Sequence, residues 1–273
     1  MQNSSVQKKH IRKSTANRAA AVIVFGLLAT SWSAAASVVS LGAADNVAVL
    51  GNSTVTNAGP TIVTGNVALS SPGVSITGFP PGTIIDGAQY IGPGLANQAH
   101  ADAVIAYGQL VGETFTTDLS GSNLGGMILT PGVYHFDTAA QLTGTLILDT
   151  QGDPNATFHF QIGTTLTTDP NSMITFLNGS SSNVFWQVGT SATIGVDSVL
   201  YGNVLADQSI TVNSGATVIG RLIAINAAVT LDTDTITAPG VVPEPSTWFA
   251  GILTLALVGF TERRRIRTFL TTI

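Results

Sequence analysis

The 273-residue chain contains no cysteine. Disulfide staples are therefore excluded, and backbone ladders and a packed core must hold the fold. Charge is scarce as well, at 9% of residues, and it is unevenly placed. Of the 10 Lys and Arg, Lys8, Lys9, Arg12, Lys13 and Arg18 lie near the start and Arg263, Arg264, Arg265 and Arg267 near the end, which leaves only Arg221 between. Of the 15 acids, Glu244 and Glu262 are terminal, so 13 remain in the middle; 13 acids against one arginine give that region a net charge of −12 and no lysine. Nucleic acid and anionic lipid require cationic patches, so neither is an expected partner. Extended salt-bridge networks are excluded on the same ground.

What is present at the two ends reads as targeting. Residues 1–36 have the build of a signal peptide: the basic cluster, a short apolar core over Ala19–Ala29, and Ala34-Ala35-Ala36 as a small-residue cleavage site. Residues 242–273 contain Pro243-Glu244-Pro245, an apolar stretch from Trp248 to Phe260, and the Arg263–Arg267 cluster. That order resembles the PEP-CTERM sorting signal of Gram-negative bacteria. The resemblance implies an exported protein, transiently anchored in the inner membrane through its short C-terminal span, with the arginines held in the cytoplasm. It also implies an exosortase-type enzyme that cuts near Pro245, and a final place at the cell surface or in the extracellular matrix, with exopolysaccharide as a neighbour.

Residues 37–241 form one domain by length. Residues 38–86 are short β-branched runs broken by Gly, Pro and Asn, and read as strands. Residues 94–112 are the one convincing helix: Leu95, Ala99, Ala103, Ala106 and Leu110 keep a helical spacing, with Asn97 as the expected N-cap. From Leu119 onward strands return. Val204-Leu205-Ala206 is answered eighteen residues later by Leu222-Ile223-Ala224. A period near eighteen with three short strands per lap and no helices between them predicts a β-solenoid. Alternation then sorts inside from outside: Ile210 and Val212 point in and Thr211 out; Val218 points in and Thr217 out. Two outward stripes follow. One holds Thr167, Thr193, Thr211 and Thr230. The other holds Thr175, Val199, Thr217 and Thr235, with Thr237 beside the last. Threonine is a good ladder residue in any exposed strand. A flat surface of methyls and hydroxyls without charges is the more specific reading.

Several blocks carry a second resemblance. "LGAADNVAVLGNSTVTNAGPTIVTGNVALSSPGVSITGFPPGTI", "AHADAVIAYGQL", "TDLSGSNLGGMILTPGVYHFDTAAQLTGTLILD", "NVFWQVGTSATIG" and "GRLIAINAAVTLD" resemble the microbial ice-binding protein family, over about Leu41 to Pro239. The resemblance implies a right-handed discontinuous β-solenoid of triangular section with one long α-helix packed alongside. It implies a monomer without cofactor or metal that adsorbs to ice through a flat face. One departure stands out. The Thr-Ala/Gly-x-Thr/Asn motif of hyperactive members is absent from the middle region, and Ser214-Gly215-Ala216-Thr217 is its nearest relative. That motif favours the Thr217 stripe as the ice face, with the Thr211 stripe solvated or near the helix. A matrix protein that uses the same solenoid without touching ice is the alternative.

Enzyme chemistry finds little support. His100 and Asp102 sit two apart on the helix, a spacing that does not bring side chains together. His135 and His159, in "VYHF" and "FHF", read as strand surface. Asp232 and Asp234 flank Thr233 in a turn, but the glycine-rich pattern of calcium-binding repeats is missing. No nucleophile elbow, phosphate loop or zinc spacing occurs. A polysaccharide lyase needs clustered acids and a cationic base, and Arg221 is expected instead to pair with a nearby Asp. Trp186 and Tyr201 are the candidate outward aromatics for carbohydrate.

Overall fold

The computed structural model describes residue 36, residues 38–181 and residues 183–239. The expected signal peptide and the Pro-Glu-Pro tail, including Pro243, Glu244, Pro245, Arg263, Arg264 and Arg265, lie outside them. The described chain is mainly β, with parallel sheets and one α-helix, Leu95–Gly112. No described helix is long and apolar enough to cross a membrane.

The strands stack lap on lap in three parallel ladders. The narrow ladder runs Ser75–Thr77, Thr54–Asn57, Val229–Leu231, Ile210–Val212, Ala192–Ile194, Leu166–Thr168, Ala140–Leu142. The wide ladder runs Thr83–Ile85, Ile62–Thr64, Thr235–Thr237, the first halves of Thr217–Ala224 and Val199–Ala206, Met173–Leu177, Thr145–Asp149, Ile128–Leu129. The second halves of the two eight-residue strands continue into the third ladder, between Val47–Gly51 on one side and Val184–Val188 on the other. These long strands turn the corner between ladders at Gly202 and Gly220, whose φ values of 113° and 155° an L side chain rarely adopts. A Cβ on Gly220 would also stand 1.8 Å from the Gly202 carbonyl oxygen.

Stacking order differs from chain order. Val47–Gly51 pairs with Thr217–Ala224, and Thr54–Asn57 with Val229–Leu231. The N-terminal strands therefore extend the stack beyond the last lap, and the two meet at a seam. The chain then returns along the helix and restarts at the far end of the stack with Thr117–Asp118. Eighteen helical residues span about 27 Å, which is five to six strand spacings of about 4.8 Å.

The helix packs on the third ladder. Ala96, Ala99, Ala103, Ala106 and Leu110 are fully buried against Leu50, Ala68, Phe185, Leu205 and Ile223. The expected spacing holds except that Ala96 is buried where Leu95 is only partly so. Asn97 is not the N-cap. The helix starts after Gly94, and the Asn97 side chain instead accepts the Ser71 backbone N–H at 2.8 Å. Inside the stack, Tyr134, Phe160 and Trp186 pile on one another, the last two with ring centroids 3.9 Å apart. Trp186 is thus core, and its indole N–H donates to the Tyr201 carbonyl.

At the seam, Arg221 is buried and ties three segments. It donates to the Asp45 carbonyl, the Asn203 side chain and the Pro239 carbonyl, and its guanidinium lies 3.3 Å from the Asp45 carboxylate. This is the ion pair expected for the lone middle-region cation. Burial pulls its pKa down, while Asp45 opposes that shift.

Candidate functional site

Both threonine stripes lie on ladders that the helix leaves free. On the narrow ladder the register lines up Thr77, Thr56, Thr230, Thr211, Thr193 and Thr167, with Gln141 in the next lap. Sequence reading found four of these threonines; Thr56 and Thr77 come from the N-terminal strands beyond the seam. Thr56 donates to the Thr230 hydroxyl at 3.4 Å. Beside this stripe Thr54 pairs with Ser75, and the Ser191 and Ser209 hydroxyls bond at 3.1 Å. The helix packs on the third ladder, so of the two expected placements, solvated or near the helix, the stripe takes the first.

The wide ladder presents two outward columns. The first is Thr83, Ile62, Thr235, Thr217, Val199, Met173 and Thr145. In the second, Ile85, Thr64, Thr237, Ile219 and Tyr201 align, and Thr175, Ile147 and Ile128 continue it. Thr217, Thr235 and Val199 therefore stand together as expected. Thr175 does not join them. Met173 is the residue in register with Val199, so Thr175 falls in the second column. Thr237 belongs to that column too. None of these fifteen positions carries a carboxylate or a cation. Ile62, Ile85, Ile128 and Met173 are exposed, at 41%, 42%, 59% and 44%, a concentration of apolar side chains in water that the core does not require. Behind them Val63, Ile236, Val218, Leu200, Ile174 and Leu146 are fully buried and fix the sheet. Spacing along a column is about 4.8 Å and between columns about 6.7 Å, as two strand residues dictate.

The histidines and acids weighed for chemistry each have at least one structural contact. His100 bonds the Ile225 carbonyl at 2.8 Å, and Asp102 accepts the Ala43 N–H at 2.7 Å; the two do not form a relay. His135 is partly exposed, stacked on Phe115 and 3.1 Å from Asp137. His159 is not strand surface: it is fully buried beneath the helix end, bonded to Glu113. Burial holds its pKa below the usual histidine range, with Glu113 pulling the other way. Asp234 is buried rather than an open calcium turn, and its Oδ2 accepts the Asp232 N–H at 2.6 Å. Burial is the main cause that lifts its carboxyl to about 7; the backbone N–H groups of Asp232 and Ala216 oppose and the Asp232 charge adds. Among the described residues no cluster of three or more His, Asp or Glu could hold a metal.

A parallel β-stack with an uncharged threonine and aliphatic face and a single helix packed on another ladder is the class of protein these elements define. The chain belongs to the ice-binding-like family, whose sequence model matches residues 49–237. It is similar to an ice-binding protein of Nostoc sp. (strain HG1), 46% identical over 258 residues that cover 90% of this chain and 94% of that protein. An ice-binding protein of Flammulina populicola is 32% identical over 241 residues, 81% of this chain and 96% of that one. Among solved structures, the ice-binding protein of the Antarctic ascomycete Antarctomyces psychrotrophicus superimposes with a TM-score of 0.72 at 42% identity, covering 75% of this chain and all of that one.

Proposed function

We propose that this chain binds ice through the wide ladder, with Thr217, Thr235, Thr237, Val199 and Thr175 among the contacts. The supporting observation is two columns without charge, the first in register over seven laps, on a face the helix leaves open. Methyls at fixed spacing leave surface water few partners, and the hydroxyls anchor that water at regular intervals. A rigid face pays little ordering entropy when such water joins a crystal. A charged side chain there would hold water in a different arrangement. The outcome is inhibition of recrystallisation or adhesion to ice. The narrow ladder of Thr167, Thr193, Thr211 and Thr230 is built on three-residue strands, with serine hydroxyls beside it that bond one another, and serves stacking.

In the same reading the stack is right-handed and triangular in section, and the protein acts as an exported monomer. Residues 1–36 direct export, and residues 242–273 are the sorting tail that an exosortase-type enzyme removes near Pro245, at a surface rich in exopolysaccharide. An intact mass of the protein from its native cells that retains Arg263–Arg267 rules out that processing.

The face is tested by steric substitution. Thr217→Tyr should change stability by no more than about 0.5 kcal/mol, because the site is at the surface. It should remove most recrystallisation inhibition by lifting the face from the crystal. Thr211→Tyr should leave activity intact. The opposite pattern, with both variants folded, moves the site to the narrow ladder.

A further inference from the structure

The seam crosses the wide face two laps from one end, between Ile62–Thr64 and Thr235–Thr237. Thr235 is in register with Ile62, so the last lap and the first N-terminal lap meet between those two residues. The residues just before them are Asp234 and Thr61, both buried at the corner. The Asp234 N–H donates to the Thr61 hydroxyl at 3.1 Å, and the Asp234 carbonyl accepts the Ile62 N–H at 2.8 Å. Thr61 in turn donates to Asn57 Oδ1, and Asn57 donates to the carbonyls of Gly59 and Gly78. One corner residue therefore links three consecutive laps through hydrogen bonds.

In the preceding laps the same corner position holds Ala216 and Ser198, which are neutral. Asp234 puts an acid there: Oδ2 accepts the Asp232 N–H, Oδ1 is buried with no hydrogen bond of good geometry, and the Ala216 backbone N–H of the preceding lap favours the ionised form only in part. No cation among the described residues is at hand to pair with it. Residues 37–242 contain one arginine, and Arg221 is committed to Asp45. Of the segments packed on either side, residues 57–62 and 213–217 carry no ionisable side chain. The charged neighbour is Asp232, on the same turn, and its sign is unfavourable.

We infer that Asp234 is a positioning residue of the ice face, and that the seam beside Thr235 and Ile62 holds its alignment when Asp234 is protonated and loosens when it ionises. The inference rests on the proposed use of the wide ladder. A buried charge that backbone N–H groups satisfy only in part is costly unless water or movement relieves it. The nearest relief is displacement of the turn at Asp232–Asp234 from Thr61, which pulls Thr235 out of line with Ile62. Burial sets the carboxyl to titrate near neutrality, so the change falls within a working pH range.

The test is a pH profile of the whole protein and of Asp234→Asn, which keeps shape but cannot ionise. Recrystallisation inhibition and hydrogen exchange at Ile62 and Thr235, the latter corrected for intrinsic rates, are measured from about pH 5.5 to 8.5. Wild type should lose activity and seam protection several-fold across that range, while Asp234→Asn stays level. Asp234→Ser, which copies the serine that Ser198 places at this corner, serves as a second non-ionising variant if Asn folds poorly. A variant that follows the wild-type profile, or wild-type seam protection that does not change with pH, overturns the inference. Loss of seam protection in wild type alone, with no ice activity at any pH, supports the seam and defeats the ice-face reading.

Discussion

At the scale of the residue, the decisive groups are those buried with charge or potential charge. Arg221 is the clearest. It satisfies two backbone carbonyls and the Asn203 amide oxygen from a site that is only 5% exposed. Arg221→Met keeps much of the volume and strands those acceptors. We expect a loss of about 2–4 kcal/mol in urea unfolding. A loss under about 1 kcal/mol would mean that water replaces the guanidinium freely. Asp234 makes the opposite contribution. Its folded pKa, about 7, lies above the ordinary carboxylate value, so the folded state holds a proton that the unfolded chain releases. The associated stability is complete below about pH 4 and falls as pH rises through about 7, by a few kcal/mol at most. Asp234→Asn should remove that fall, and chemical unfolding at several pH values reads it. Neither role is legible from composition. The sequence places Asp234 in a turn without saying that it is buried, and it places His159 on a strand surface, because alternation gives the two sides of a strand but not what covers the outer one. For His159 the cover is the helix end with Glu113, 46 residues away in sequence.

At the scale of the element, most of the fold can be read locally. Val199↔Thr217↔Thr235 keeps an eighteen-residue step, and each lap turns at Gly, Asn or Asp, so strands, turns and inward residues follow from period and alternation. The phase fails where a lap is longer. Between Met173 and Val199 the step is twenty-six residues, so Thr175, twenty-four before Val199, falls one column away from it. The corner glycines carry a sharper expectation. Gly220→Ala forces a Cβ into the Gly202 carbonyl at a positive φ. The ladder cannot give way there, because both sides are paired along eight residues. A loss of more than about 2 kcal/mol is expected in thermal or urea unfolding. The helix is constrained in the same way by its alanines. Ala103→Leu adds three carbons where the native side chain has no exposure, and should cost about 1–3 kcal/mol by overpacking. A neutral result would show that the helix can ride outward.

At the scale of the whole molecule, the N-terminal strands complete a stack built by the C-terminal laps, and this long-range closure is what local sequence patterns do not encode. Val49 pairs with Leu222, and Thr56 with Thr230. The periodic pattern of residues 38–86 predicts strands but not where they dock. The charge of the assembled domain, by contrast, is fully legible, and it sets a last expectation. Thirteen acids and one arginine occupy residues 37–242. None of the acids occupies a position of the two columns of the wide face, although some, Asp86, Asp149 and Asp234 among them, stand within two residues of those positions. Folding brings these like charges closer together than in the open chain, so their net effect is repulsive. The ion pair that opposes it, Arg221 with Asp45, has its guanidinium buried and is screened little. Raising NaCl from about 10 mM to about 300 mM shortens the screening length from about 30 Å to well under 10 Å. The repulsion should fade while the seam pair persists. The melting temperature should therefore rise, by about 2–4 °C if the relief is near 1 kcal/mol. Sodium chloride is preferable to sulfate here, since sulfate would also strengthen apolar burial. A melting temperature that falls over this range would mean that attractive surface pairs govern the molecule, contrary to its charge inventory.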